Sequence, residues 1–292
     1  MYLAIDIGGT AIKYGLVTVD GTITEQDEMP TEAKEHGGPG IVDKVRKLVQ
    51  KYQSQIKGVA MSTGGMVDDE AGVIVYALEE AIPNYTGTNW KKIIGTEFNL
   101  PLEVENDVNC AAMGEYWQGS GKNAKSLFAL TVGTSIGGAL LLDGKIWHGA
   151  SNSAGEVAYM QIPSGRMHDY VSTTRLVEDV RSQKNLAKGS INGKAVFEFI
   201  AKGDDISQKA LETLCENLAD GITNIVSVVN PELIVLGGGI MVQEAVIRPI
   251  LEAKLQARLV ERVYQSTKIA FASCGNNAGM LGALYNFLQK QA

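Results

Sequence analysis

Three turns in this sequence place glycine directly after an apolar, strand-like run: Asp6-Ile7-Gly8-Gly9-Thr10, Thr131-Val132-Gly133-Thr134 and Gly237-Gly238-Gly239. Glycine lets a backbone approach a ligand closely and present its N–H donors, and threonine hydroxyls add more donors. That chemistry suits phosphate oxygens. None of the three has the G-x-x-x-x-G-K-[ST] spacing of a P-loop, and each alone reads equally well as an ordinary turn. Asp6 ends an apolar run beside Gly8-Gly9, where a carboxylate is costly to bury unless it is paired. A hydrated Mg²⁺ is one natural partner.

Glu105-Asn106-Asp107 ends a second apolar run and opens a helix, the position at which α/β folds bind ligands. Asp107 there suits a general base, taking the proton of a hydroxyl that attacks a phosphoryl group, or the N-cap of the helix, and the two roles are compatible. Ser153-Ala154-Gly155-Glu156, with Tyr159 three residues on, offers a carboxylate in a small-residue turn. It suits vicinal sugar hydroxyls, or an exposed salt bridge. His36, His148 and His168 share no spacing and point to surface or structural roles. Trp90, Trp117 and Trp147 read as packing residues. The three cysteines, Cys110, Cys215 and Cys274, are widely separated and include no C-x-x-C pair, so neither a disulfide framework nor a zinc knuckle is expected.

The elements that must position these groups alternate between strand and helix. Leu3 to Ile7 and Ile12 to Val19 read as strands joined to a hairpin turn at Asp20-Gly21. A helical stripe follows over Ile41 to Tyr52, then strands at Gly58 to Ser62 and Leu102 to Glu105 and a helix to about Trp117. After Gly119-Ser120-Gly121 the scheme restarts, with strands at Ser126 to Val132 and Gly138 to Leu142 and another Asp-Gly turn, Asp143-Gly144. IDIGGTAIKYGLVTVDG and LTVGTSIGGALLLDG thus form a weak internal repeat at the head of each half. A long helix over Ile206 to Val229 is stopped by Asn230-Pro231, and strands at Leu233 to Leu236 and Lys268 to Ala272 precede a helix over Ala278 to Leu288. This pattern predicts two α/β domains: residues 1–118 with about 277–292 as a smaller N-terminal domain, and 119–276 as a larger C-terminal one. The length of 292 residues suits two domains.

A formal charge of −7 gives no general attraction to nucleic acid or anionic lipid. The opening MYLAIDIGGT has no basic segment or long apolar run, so neither a signal peptide nor a membrane span is expected, and a cytoplasmic location is.

Together these motifs resemble the ROK (repressor, open reading frame, kinase) family of sugar kinases, of the actin-like ATPase superfamily. Asp6-Ile7-Gly8-Gly9-Thr10-Ala11-Ile12-Lys13 is similar to the first phosphate motif, D-x-G-G-T-x-x-K. Glu105 to Asn109 is similar to the E-N-D-x-N segment. Leu130 to Gly138, Gly149 and Ala154-Gly155-Glu156 resemble the signature with its second phosphate loop, and Gly237-Gly238-Gly239 the adenosine motif. The resemblance implies a two-domain actin-like (ribonuclease H-like) α/β fold with a cleft between domains, ATP and Mg²⁺ as cofactors, and a homodimer. It implies Asp107 as the base for a sugar hydroxyl. Asn106, Glu156, Gly65, Asn84 and Tyr159 would line the sugar site, and Asp6 would hold Mg²⁺ through water. Gly8, Gly9, Thr10, Lys13, Gly133, Thr134 and Gly237 to Gly239 would bind the nucleotide's phosphates and adenosine.

The departures from the family pattern fall on one side of the sugar. Glu156-Val157-Ala158-Tyr159 has tyrosine where most of the family has the histidine of E-x-G-H. No cysteine lies between Cys110 and Cys215, so the family's C-x-C-G-x-x-G-C-x-E zinc motif is missing and no structural zinc is expected. Its terminal glutamate, which reads the sugar near O1, is missing too. A pocket opened there suits a substituent on O1, and the bacterial β-glucoside kinases share this pattern. Phosphorylation of the 6-hydroxyl of a glucose unit in a cellobiose-type sugar is therefore expected. Glucokinase or another hexose or N-acetylmannosamine kinase is the alternative, and a sensor without catalysis a further one. The family's repressors carry a helix-turn-helix domain before D-x-G-G-T, and with the motif's strand beginning at about residue 2 a repressor is not expected.

Overall fold

The computed structural model describes residues 1–291. In chain order the first elements are β1 (Tyr2–Ile7), β2 (Ala11–Val17), β3 (Ile23–Pro30), α1 (Ala33–Tyr52), β4 (Val59–Thr63), β5 (Met66–Asp68), β6 (Val73–Tyr76), α2 (Trp90–Phe98), β7 (Leu102–Asn106) and α3 (Asp107–Gln118). There follow β8 (Ser126–Val132), β9 (Ile136–Leu142), β10 (Lys145–Ile146), β11 (Gln161–Ile162), β12 (Gly165–Arg166), α4 (Met167–Tyr170), α5 (Thr173–Gln183), α6 (Gly193–Ala201) and α7 (Asp205–Val229). The chain closes with β13 (Leu233–Gly237), α8 (Glu244–Arg258), α9 (Glu261–Ser266), β14 (Lys268–Phe271) and α10 (Ala278–Lys290).

Two compact units result: Met1–Asn123 with Gly144–Ala154 and Cys274–Ala292, and Ala124–Asp143 with Gly155–Ser273. The chain therefore crosses between units after Asn123, Asp143, Ala154 and Ser273, the first and last of these within a few residues of the junctions expected from the sequence. The segment 144–154 joins the first unit, which makes that unit, and not the second, the longer.

The first unit is built on one sheet of order β3-β2-β1-β4-β7. β1 pairs antiparallel with β2 and parallel with β4, and β4 pairs parallel with β7. Leu3, Ile5, Ile7, Val59, Met61, Leu102 and Val104 bury against α1 and the Tyr85–Trp90 segment in one core. Such continuous apolar strands need cover on both faces. α10 supplies cover of this sheet, packing against β1, β4, β7 and α3.

In the second unit β9, β8, β13 and β14 lie side by side in that order, with β8–β9 antiparallel and β8–β13 and β13–β14 parallel. This repeats β2, β1, β4 and β7 of the first unit, so the weak sequence repeat has a counterpart in the sheets. The buried stripe of α7, including Leu211, Leu214, Leu218, Ile222 and Ile225, packs into this unit's core. α7 ends at Asn230 in the left-handed conformation, immediately before Pro231.

Candidate active site

In the first unit, register places the motif residues in two rows along the strand ends. Asp6, Ser62 and Glu105 are aligned across β1, β4 and β7, and one step on Ile7, Thr63 and Asn106 are aligned. The Gly8-Gly9 turn, the Gly64-Gly65 turn and the start of α3 therefore share the carboxyl edge of three parallel strands, where ligands bind in open α/β sheets.

The Asp6 carboxylate accepts a hydrogen bond from Ser62 Oγ at 2.6 Å. It lies against the first turn of α10, where a Cβ on Gly279 would sit 2.6 Å from Asp6 Cγ. Glycine there leaves room for the carboxylate at a helix N-terminus, which favours negative charge. Burial nonetheless pushes the Asp6 carboxyl upward, opposed by the Ser62 bond and by the charge of Lys13. Lys13 faces Asp6 across the β1–β2 ladder. The turn between those strands is latched by Gly8 N–H to Ala11 O at 3.0 Å, and Thr31 Oγ1 donates to Gly8 O at 2.7 Å.

At the start of α3 the cap is Asn106, not Asp107. Asn106 Oδ1 accepts from Val108 N at 2.9 Å and Asn109 N at 3.1 Å, while Asn106 Nδ2 donates to Gly65 O at 2.9 Å. Asp107 is the first helical residue, so the capping role that its sequence position allowed belongs to its neighbour. Its Oδ1 accepts from Val108 N at 3.0 Å and Asn106 Nδ2 at 3.1 Å. Its Oδ2 lies toward Gly64, where an added Cβ would be 4.0 Å away. The structure thus brings Asn106, Asp107 and Gly65 together. Gly65 is at φ 103°, where a Cβ would meet Tyr76 O at 2.7 Å, so only glycine suits this turn. Asn84 sits in an exposed loop at φ 56°, its N–H held by Glu79 Oε1 at 3.0 Å.

Sequence reasoning missed what lies behind this edge. Glu105 is 1% exposed at its side chain. Its Oε1 accepts from Asn106 N at 2.7 Å and Asn109 Nδ2 at 3.0 Å, and its Oε2 is 2.6 Å from His148 Nε2. His148 is also 3.8 Å from Asp69 Oδ2, and Lys290 Nζ from α10 pairs with Asp69. The hydrogen bond to Glu105 raises the His148 pKa above its ordinary value against the cost of burial. The charges of Glu105 and Asp69 add to the rise and Lys290 opposes it. One ligand atom each from Asp69, Glu105 and His148 lie within 4.8 Å of one another, a grouping that can hold a metal. With Lys290 on Asp69 and three donors on Glu105, the cluster reads as a balanced ion-pair network.

In the second unit, two glycine turns are neighbours at the ends of β8 and β13, since Gly237 is aligned with Thr131. Gly238, at φ 104°, packs directly on the Val132 backbone. The Gly133-Thr134 turn is tied to the start of α5: Thr173 N donates to Gly133 O at 2.8 Å and Thr174 Oγ1 to Thr134 O at 3.1 Å. Gly155, at φ 91°, lies against Gly138 of β9 and presents Glu156 beyond it. Glu156 reaches solvent, yet desolvation raises its carboxyl pKa. Tyr159 is 56% exposed. Of the tryptophans, Trp90 is fully buried as expected, whereas Trp147 is 57% exposed and packs into no core.

The chain as a whole is similar to known proteins. A β-glucoside kinase of Listeria innocua is 31% identical, over 99% of this chain and 97% of the relative. A ROK family protein of Streptococcus pneumoniae solved with sucrose superposes with a TM-score of 0.86 at 28% identity, over 99% of this chain and 98% of that one. A ROK family glucokinase of Streptomyces griseus, solved with glucose and AMPPNP, gives 0.81 at 25% identity, over 100% and 99%. The fold is thus the mixed α/β arrangement of the ROK sugar kinases, of the actin-like ATPase type. The ROK family profile itself matches residues 2–290, through both units and every motif described above, and the chain belongs to the ROK family.

Proposed function

We propose that this protein transfers the γ-phosphate of ATP to the 6-hydroxyl of a glucose unit in a β-glucoside such as cellobiose, with Asp107 as general base. The coarser activity stands apart from that proposal: the chain is an ATP-dependent carbohydrate kinase, as its named relatives are. The observation that carries the finer reading is Asp107 beside the Gly64-Gly65 turn, with Oδ1 held by two donors and Oδ2 turned toward the turn. Oδ1 fixes the carboxylate and Oδ2 takes the hydroxyl proton. Phosphoryl transfer of this kind depends mainly on positioning and charge stabilisation. Asn106 Nδ2, shared between Gly65 O and Asp107, orients both sides of the acceptor site.

The Asp6 carboxyl, raised by burial with only a hydroxyl and Lys13 to oppose it, fits a hydrated Mg²⁺ held through water. That ion, when bound, neutralises charge on the phosphates. Family resemblance assigns Gly8, Gly9, Thr10, Lys13, Gly133, Thr134 and Gly237 to Gly239 to the nucleotide, and Glu156, Tyr159, Gly65 and Asn84 to the sugar. A cytoplasmic homodimer belongs to the same reading. Supporting a β-linked acceptor are the Listeria innocua relative and the absence of the zinc-motif glutamate from the sequence, while the S. pneumoniae relative solved with sucrose, an α-glucoside, supports only room for a substituent on O1. The S. griseus relative solved with glucose favours the second reading, a glucokinase.

The test is ADP release with Mg-ATP over glucose, cellobiose, gentiobiose, fructose and N-acetylmannosamine. Turnover of β-linked disaccharides at least equal to that of glucose is expected, and turnover of monosaccharides alone makes it a hexose kinase. Asp107→Asn should lower kcat by about 10²–10⁴-fold, the usual contribution of a positioned base. An undiminished rate removes Asp107 from that role.

A further inference from the structure

A carboxylate buried as deeply as Glu105 is costly, and a neutral or apolar residue of similar size is often no worse for stability. Glu105 stands two residues before Asp107, and its oxygens join three separate parts of the first unit. Oε1 holds the Asn106 N–H at the strand end and the Asn109 side chain in the first turn of α3. Oε2 holds His148, which arrives from the 144–154 segment. Between the two points gripped by Oε1 lie both Asn106 and Asp107. Without a partner on Oε2 the carboxylate would be a half-satisfied buried charge, free to turn away from that grip.

We propose that His148 is a positioning residue for phosphoryl transfer: through Glu105 it fixes the 105–109 segment and hence the placement of Asn106 and Asp107. The inference rests on the reading of Asp107 as the base. His148 is itself constrained, its Nε2 lying between Glu105 of β7 and Asp69 after β5, with Lys290 of α10 on the far side of Asp69. Those are the charged groups that face it. Its carbonyl also accepts from Ala154 N at 3.1 Å, closing the loop just ahead of Glu156. The imidazole is favoured in its protonated, charge-balancing form because Glu105 accepts from it. Lys290 on Asp69 leaves this arrangement complete without a metal ion.

Steady-state kinetics of His148→Ala and His148→Gln, with Asp107→Asn in parallel, test the proposal. A misplacement near 1 Å costs up to about a hundredfold in rate, so kcat/KM for the sugar should fall about ten- to hundredfold in H148A. KM for ATP should stay unchanged. H148Q keeps a neutral donor for Glu105 and should recover activity to the level that the wild type shows once His148 is neutral. Wild-type kcat/KM should decline as pH rises through the His148 pKa, and H148Q should lack that decline. If H148A does not fold, H148Q and Glu105→Gln carry the same pH comparison.

Wild-type kinetics in H148A overturn the proposal. So do equal losses in H148A and H148Q with an unchanged pH profile, which mark a scaffold role. Stoichiometric divalent metal in the purified protein, lost in H148Q, overturns it as well. An active Asp107→Asn enzyme overturns the base assignment. An inactive one beside an unaffected H148A defeats only the positioning role.

Discussion

His148 carries a signature that can be read without any substrate. Its folded pKa lies above the free value of about 6.5, chiefly through the bond to Glu105. A group raised in this way stabilises the fold fully below its unfolded pKa, and that contribution is lost as pH rises through the folded value. Urea midpoints of the wild type should therefore fall relative to those of H148Q as pH is raised from 6.5 upward, and converge on a constant difference once His148 is neutral. A difference that is flat across the whole range would place the imidazole outside any buried ion pair. The sequence exposed some of this residue-scale chemistry and hid the rest. Asp6, Asp107 and the glycine turns stand out because each motif is contiguous. The Glu105–His148 pair does not, because its members are 43 residues apart and meet only after β7 and the 144–154 segment fold. Which residue caps α3 was likewise open in the sequence, since Asn106 and Asp107 are both good caps. Side-chain direction gives the cap to Asn106.

Among elements, α3 and α10 show how glycine sets the distance between helices. A Cβ on Gly282 would collide with Cys110 O, and one on Gly114 with Ala278 O. α3, which presents Asp107, is thus pressed backbone to backbone against α10, which also receives the Asp6 carboxylate. Gly282→Ala should destabilise the protein by about 1–3 kcal/mol, the usual range for overpacking, and calorimetry should show a lowered Tm. An unchanged Tm would mean that the two helices have slack between them. Elements with a strong apolar period, such as α7 and the β1, β4 and β8 strands, were evident in the sequence to within a residue or two. β3 was not, because ITEQDEMP is an exposed edge strand with almost no buried face. α1 begins eight residues before its apolar stripe, beyond a kink at Gly37 with φ 58°, and only the stripe is periodic.

At the scale of the whole molecule, the first unit is discontinuous in sequence. Its C-terminal helix carries Lys290, which donates to Asp69 O at 3.0 Å and pairs with the Asp69 carboxylate, so the end of the chain is tied to the β5 region. Gln291 Nε2 adds a bond to Glu103 Oε1 at 2.7 Å. Removing residues 278–292 should leave the first unit open to limited proteolysis while tryptic fragments of the second unit persist. Equal resistance of both units would show that α10 is dispensable cover. The glycine junction after α3 hinted at a boundary, but the membership of 144–154 was illegible, because it depends on where His148 finds Glu105.

The same discontinuity has a consequence for biosynthesis. A ribosome makes β1 before α10, so the sheet that bears Asp6 and leads into Asp107 leaves the exit tunnel with one of its faces uncovered. The second unit, whose residues between 124 and 273 are all made earlier than α10, can fold while the first is still waiting. Of the two units, the one whose synthesis starts earlier is thus the one that matures later. A nascent chain arrested near residue 275 should bind a chaperone through that exposed sheet and let go once α10 has been synthesised.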